Sequence, residues 1–185
     1  MSGTAENPTA GLVPVEIVDK RAGLGLRKQL LGAPDRGPHL THSVKTPRGV
    51  VAVGRQGSRI IARGDQVPVA FVDSPERLGI AHVKHGLSGR VDAREVSIVR
   101  SRYGLRRKDR RVLIDGEGIA WRSDYRRGRH FDIVRRGDGS VVLRQDGSTK
   151  LLDPAATPAE VSLALALSAS GIIQTSSLLN GLTLP

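Results

Sequence analysis

From Val161 to Leu179 the chain runs for nineteen residues without a charge. Leu, Ala, Ile and Val alternate there with Ser, Thr, Gly and a single Gln, so a helix built from them is apolar and small all round. A helix lying on a sheet carries an apolar stripe and a charged face. This segment has neither and needs burial on every side, which only a protein interior or a bilayer can supply. Its start is marked by Thr157, Pro158, Ala159 and Glu160, a capping box with Pro at the first helical position, where a missing N–H removes no bond. Asn180 and Gly181 offer a left-handed stop. The expected helix is therefore 157–180, with about 22 residues and roughly 33 Å between its caps. That length could cross a hydrocarbon core, which makes a C-terminal tail anchor one alternative. Five Ser, one Thr, one Gln and one Gly leave the run only weakly apolar, and no basic flank follows it. The better surrounding is a shell of strands, with Ala164, Ala166, Ser168, Ala169, Ser170 and Gly171 small enough to let them approach.

The rest of the chain can supply such a shell. Before residue 157 helical spacing is nearly absent, and short apolar runs are broken at close intervals by turn residues. Leu12 to Lys20 alternates as a strand, and Leu24 to Leu31 is ambiguous between a strand and a short helix. "HLTHSVK" is followed by "VVAV" and "RIIAR", a hairpin joined by Gly54 to Gly57. "VPVAFVD" and "LGIAHVKHG" come next, and "VDAREVSIVRSRYG" reads as one bent strand or two. "RVLIDGEGIAWRS" has Asp115 and Gly116 as its tight-turn pair. The stretch from His130 to Asp153 holds three strands linked at Asp138–Gly139 and Asp146–Gly147. Eleven to thirteen sequential antiparallel strands suit a barrel or a sandwich. A sandwich with the helix outside stays open from pattern alone.

One domain is expected from 185 residues, with a flexible tail at 1–11 and the folded unit at 12–182. With no cysteine, disulfides, thiolate catalysis and Cys-ligated zinc are excluded, and a reducing cytoplasm fits. The first residues lack the basic and apolar regions of a secretory signal.

Catalytic and metal constellations fail on spacing. His82 and His85, like His39 and His42, are three apart and so face opposite sides of a strand. "GLGLRK" from Gly23 has two of the three glycines of a dinucleotide fingerprint, with Lys28 in place of the third. Asp115, Glu117 and Asp124 lie among turns and arginines, where turn chemistry and ion pairing account for them. No catalytic residue, metal ligand or cofactor is assigned, and the chain is read as non-enzymatic.

Charge is the informative surface property. The formal net charge is +11, and between Arg100 and Arg136 thirteen Lys or Arg stand against five Asp or Glu. Two stretches concentrate it, "RSRYGLRRKDRR" and "WRSDYRRGRHF". The candidate anion-binding residues are Arg100, Arg102, Arg106, Arg107, Lys108, Arg110, Arg111, Arg122, Arg126, Arg127 and Arg129. Tyr103, Trp121 and Tyr125 are interleaved as stacking or interface residues. Guanidinium groups hold phosphate bidentately. Interleaved aromatics suit either single-stranded nucleic acid or the headgroup depth of a membrane. The plainer alternative sends Trp121 and Phe131 into the core and leaves the arginines as a solvated rim.

About a dozen short antiparallel strands followed by a hydrophobic C-terminal helix resemble the tubby-like group, which includes LURP-one-related and phospholipid scramblase-like proteins. The likeness spans Leu12 to Leu182 in its order of elements. It is strongest from Arg110 to Leu179, through "RVLIDGEGIAWRS", "HFDIVRRGDGSVVLRQDG" and "DPAATPAEVSLALALSAS". The resemblance implies a β-barrel of about 12 strands threaded by the C-terminal helix. It also implies a binding role toward lipid headgroups, since tubby proteins hold phosphoinositides on basic barrel surfaces. No residue-level headgroup motif matches, and an Ala-, Arg- and Gly-rich composition of bacterial appearance speaks against phosphoinositides in particular. The expected partner is an anionic lipid or phosphate-bearing ligand, met in the cytoplasm or peripherally at the membrane. Nucleic acid, as a binder or a component of a nucleoprotein or phage-like assembly, is the alternative partner.

Overall fold

A computed structural model describes residues 11–19, 39–74, 86–100, 111–127 and 130–173. Among these residues the strands are β1 (Val13–Pro14), β2 (Glu16–Asp19), β3 (His39–Thr46), β4 (Gly49–Gln56), β5 (Arg59–Gly64), β6 (Val67–Asp73) and β7 (Leu87–Val91). They continue as β8 (Arg94–Arg100), β9 (Val112–Gly116), β10 (Ile119–Arg127), β11 (His130–Arg135), β12 (Val141–Asp146) and β13 (Thr149–Leu152), and one helix follows, α1 (Pro158–Ser170).

Every strand from β2 to β13 pairs antiparallel with its neighbours in sequence, while β1 pairs with β13. Only Val15 separates β1 from β2. One continuous stretch therefore pairs with β13 through Val13 and Pro14 and with β3 through Glu16, Ile17 and Asp19. Val15 itself donates its N–H to the Lys150 carbonyl at 2.8 Å. This shared strand joins the two edges of the sheet and makes a nearly closed barrel, with few unpaired edge groups.

The helix lies inside it. Val161 to Ser168 are eight consecutive buried residues, more than two full turns, so no side of this part of α1 meets solvent. Counting β1 and β2 as one, β6 and β12 lie on opposite sides of the ring, and α1 packs against both, as well as against β4, β5 and β7. Leu163, Leu165 and Leu167 share one core cluster with inward residues such as Val72, Ile98, Ile114, Trp121, Phe131 and Leu143. Each buried leucine contributes about 2 kcal/mol. The helical serines satisfy themselves: Ser162, Ser168 and Ser170 donate to the carbonyls of Ala159, Leu165 and Leu167.

The start of α1 is as expected. Thr157 Oγ1 accepts from the Glu160 N–H at 3.3 Å, and Glu160 Oε2 accepts from the Thr157 N–H at 2.8 Å. Its end is different. Gly171, at φ 75°, takes the left-handed conformation and stops the helix after 13 residues, about 20 Å, instead of near Asn180. The Ser74 hydroxyl donates to the Ser170 carbonyl at 2.9 Å and ties this end to the tip of β6. Ile172 and Ile173 remain buried beyond the break. Residues 174–185 lie outside the described residues, as do 1–10 and the ambiguous 24–31.

Two turn expectations shift as well. The β9–β10 turn is Glu117–Gly118, with Gly118 at φ 69°, while Gly116 stays in β9 opposite Ile119. A Cβ on Gly116 would sit 2.7 Å from the Glu95 carbonyl oxygen, so this glycine marks a close approach of β8 rather than a turn. Of the two readings of the stretch from Val91, one bent strand or two, its described part holds two, with β7 ending at Val91 and β8 beginning at Arg94.

Candidate functional site

A meander alternates its connections between the two ends of a barrel. Here α1 enters at one end, beside β13, and stops at the other, beside Ser74. The chain leaves and rejoins the wall at the second end, the exit end, between Asp19 and His39, Ser74 and Gly86, Arg100 and Arg111, and Arg127 and His130. By sequence, the spans joining these points (20–38, 75–85, 101–110 and 128–129) hold thirteen Lys or Arg and three Asp or Glu. That is a net +10, against +11 for the whole chain, so everything else nearly cancels. The turns of the entry end (47–48, 65–66, 92–93, 117–118, 136–140 and 153–157) hold two Arg and five acidic residues, a net −3. By sequence, the excess of basic residues falls in the spans that join exit-end points, and an excess of acidic ones falls in the entry-end turns.

The expected anion-binding residues divide accordingly. Arg102, Tyr103, Arg106, Arg107, Lys108, Arg110 and Arg129 lie outside the described residues, in the spans of the exit end. Arg100 ends β8 and Arg127 ends β10 at that same end. The others are compensated on the outer wall. Arg111 and Arg122 share Asp124 at 3.1 and 3.0 Å. Arg126 bonds Asp146 and lies 3.5 Å from Asp132. Asp132 in turn holds Arg144 bidentately, both bonds at 2.8 Å, in a buried pair. Arg136 pairs with Asp115. The hydrogen bond from His130, together with Arg126, keeps the Asp146 carboxyl below its usual range.

One aromatic expectation is corrected. Trp121 is 2% exposed and belongs to the core, so it cannot stack on a ligand at the surface. Tyr125 sits two residues beyond Ser123 and four beyond Trp121, both buried, and opposite Phe131, which is fully buried; all four face the inside of the barrel. Tyr125 is half-buried at the inner rim of the exit end.

The inner rim continues through residues that charge counting passed over. Phe131 lies opposite Gln145, and Gln145 opposite Lys150, which places Tyr125, Phe131, Gln145 and Lys150 in one row across β10 to β13. His42 lies opposite the buried Val53, on the face of Val44. Burial lowers the Lys150 amine from its usual range, and burial together with the Lys150 charge lowers His42. On the outer wall, a cavity of about 370 Å³ is lined by Arg59, Phe71, Asp73, Ser88, Arg90 and Glu95. Arg59 is paired there with Asp73 at 3.2 Å. Among the described residues no cluster of His, Asp and Glu could hold a metal ion, and no helix is long and apolar enough to cross a membrane.

No protein-family model matches this chain, and neither a curated protein nor a solved structure does.

Proposed function

We propose that the protein is a non-enzymatic binding module that docks end-on against an anionic surface, its positive exit end facing phosphate-bearing lipid headgroups. The observation that carries this reading is where the basic sequence is attached: the four spans that join exit-end points of the wall hold a net +10 by sequence, and the turns of the other end are acidic. Such a field orients the molecule as it approaches a negative surface. Arg102, Arg106, Arg107, Lys108, Arg110 and Arg129 supply the contacts, with Arg100 and Arg127 at the strand ends beneath them. Arg111, Arg122 and Arg126, already held by carboxylates, contribute to the field more than to contact.

Lipid is favoured over nucleic acid on two grounds. Of the four described aromatics, Trp121, Tyr125 and Phe131 face inward, and Phe71 alone lies on the outer wall. From the same end of the barrel the sequence continues after Ile173 as an uncharged, Leu-containing stretch, which suits an interface with an apolar layer beneath it. A barrel closed around a helix is also the arrangement that the tubby-like resemblance implies.

The test is co-sedimentation with vesicles of phosphatidylserine and phosphatidylcholine, against phosphatidylcholine alone. A basic residue near an anionic surface contributes about 1 kcal/mol. Charge reversal at Arg102, Arg106, Arg107 and Arg110 to Glu should therefore weaken partitioning roughly a thousandfold, with the fold intact by circular dichroism. Unchanged partitioning of the variant refutes the proposal. Tight, salt-sensitive retention on oligonucleotides without vesicle binding would replace it with the nucleic-acid reading.

A further inference from the structure

The inner rim of the exit end holds two polar groups with complementary needs. Gln145 is 7% exposed, and its amide nitrogen donates to the Gly147 carbonyl at 3.1 Å, which fixes the orientation of the amide. Its Oε1 is buried and accepts no hydrogen bond among the described residues. Directly opposite, Lys150 points the same way, as shown by Leu143 and Leu152, the next inward pair, both fully buried. Among the described residues no carboxylate pairs with Lys150. A buried acceptor without a donor costs about 1–3 kcal/mol, and the half-buried Lys150 ammonium, partly stripped of water, has no anion to offset that loss. Tyr125 and His42 add a phenol and an imidazole to the same inner rim.

We infer that the inner rim of the exit end is a binding site for a phosphate monoester group, with Lys150 donating to its charged oxygens and Gln145 Oε1 accepting from its protonated oxygen. The ligand class follows from the two unmet needs taken together. A carboxylate or sulfate offers acceptors only and would leave Gln145 orphaned. A phosphate monoester, with its second pKa at about 6, offers both in its monoanion, negative oxygens beside one P–OH, and inorganic phosphate keeps a P–OH at neutral pH. Tyr125 lies on the rim at the distance of two strands, placed to meet the group esterified to the phosphate. None of these residues belongs to the arginine set of the proposed docking surface, so the two readings can fail separately.

The probe is inorganic phosphate, titrated calorimetrically into the full chain at physiological salt, with sulfate as the control. Phosphate should bind at least about tenfold more tightly than sulfate, because only phosphate donates to Gln145. Lys150→Met should weaken phosphate roughly tenfold or more. Gln145→Glu should do the same while keeping the fold, since the new carboxylate gives Lys150 an internal partner. The four-arginine variant should retain phosphate binding, because none of its substitutions removes the rim donor Lys150 or the acceptor Gln145. Equal binding of phosphate and sulfate overturns the inference. So does undiminished phosphate binding by either rim variant, or no binding by the wild-type chain.

Discussion

Replacing Arg135 by Met should detach the entry end of α1 from the wall. Arg135 Nε and Nη2 donate to the two Glu160 oxygens at 2.7 and 2.9 Å, and Nη1 donates to Asp153 Oδ2 and Ser140 Oγ, both at 2.8 Å. One guanidinium thus binds the first turn of the helix, the loop that leads into it and the β11–β12 turn. The side chains of Arg135, Glu160 and Asp153 are 23%, 14% and 17% exposed, too little for solvent to screen them as it screens surface pairs. Exposed pairs contribute about 0–1 kcal/mol, whereas removing one partner of a buried pair costs about 3–5 kcal/mol. A loss of about 3 kcal/mol is expected, or a melting temperature lowered by about 9 °C for a chain of this size. The sign with pH is also determined. Burial opposes the charged form of Glu160, but its bonds from Arg135 and from the Thr157 N–H outweigh that and hold the carboxyl below its usual range. A carboxyl lowered in the folded state contributes stability above its unfolded value, about pH 4.3, and that contribution disappears as pH falls through the folded value. Urea unfolding followed by Trp121 fluorescence should therefore show the wild-type chain losing stability on acidification through this window, with a shallower loss in Arg135→Met. A cost below about 1 kcal/mol at pH 7, or identical acid slopes, would refute the clamp.

The interior position of α1 predicts that Leu165→Ala, at a fully buried site, lowers the unfolding free energy by about 3 kcal/mol in urea. Removal of 157–185 should leave a hollow wall without a cooperative transition, and a truncated chain that unfolds cooperatively would contradict the arrangement. Trp121, the single tryptophan, should emit at short wavelength and resist iodide quenching, with no change when vesicles are added. Quenching by headgroup-attached probes would place it at the interface instead.

Much of the wall was legible because its turns and pairings are local. Thr157 to Glu160, Gly139 and Gly147 announced a cap and two turns through backbone chemistry that needs no distant partner. The end of α1 was misjudged because the uncharged run continues past Gly171, and composition alone cannot separate a buried helix from buried residues after its stop. Gly171 itself was the available signal. Trp121 misled for a related reason: its arginine neighbours suggested a surface, although alternation from Trp121 through Ser123 to Tyr125 already places all three on one face. The charge assignment was partial. A count along the chain saw the excess from Arg100 to Arg136, but Asp124, Asp132 and Asp146 neutralise part of it across strands. Span 20–38, with a net +4, joins the same end only through the meander's parity. Gln145 and Lys150 carried no signal at all, since their unmet bonds exist only once β12 and β13 are paired and rolled inward.

The strand formed by β1 and β2 has a consequence for the order of events during synthesis. It is made before the other described strands, yet its first two residues pair with β13, the last of them to be made. The nascent meander therefore grows with β1 and its newest strand both unpaired at their outer edges, and hydrophobic residues destined for the lumen stay exposed until α1 arrives. Long-range pairing of this kind slows folding and leaves intermediates open to edge-to-edge association. The β1–β13 seam, only two paired residues long, is then both the final stitch and the weakest one. Breathing of the folded barrel should begin there, so that amide protons of Val13 and Leu152 exchange before those of the central strands.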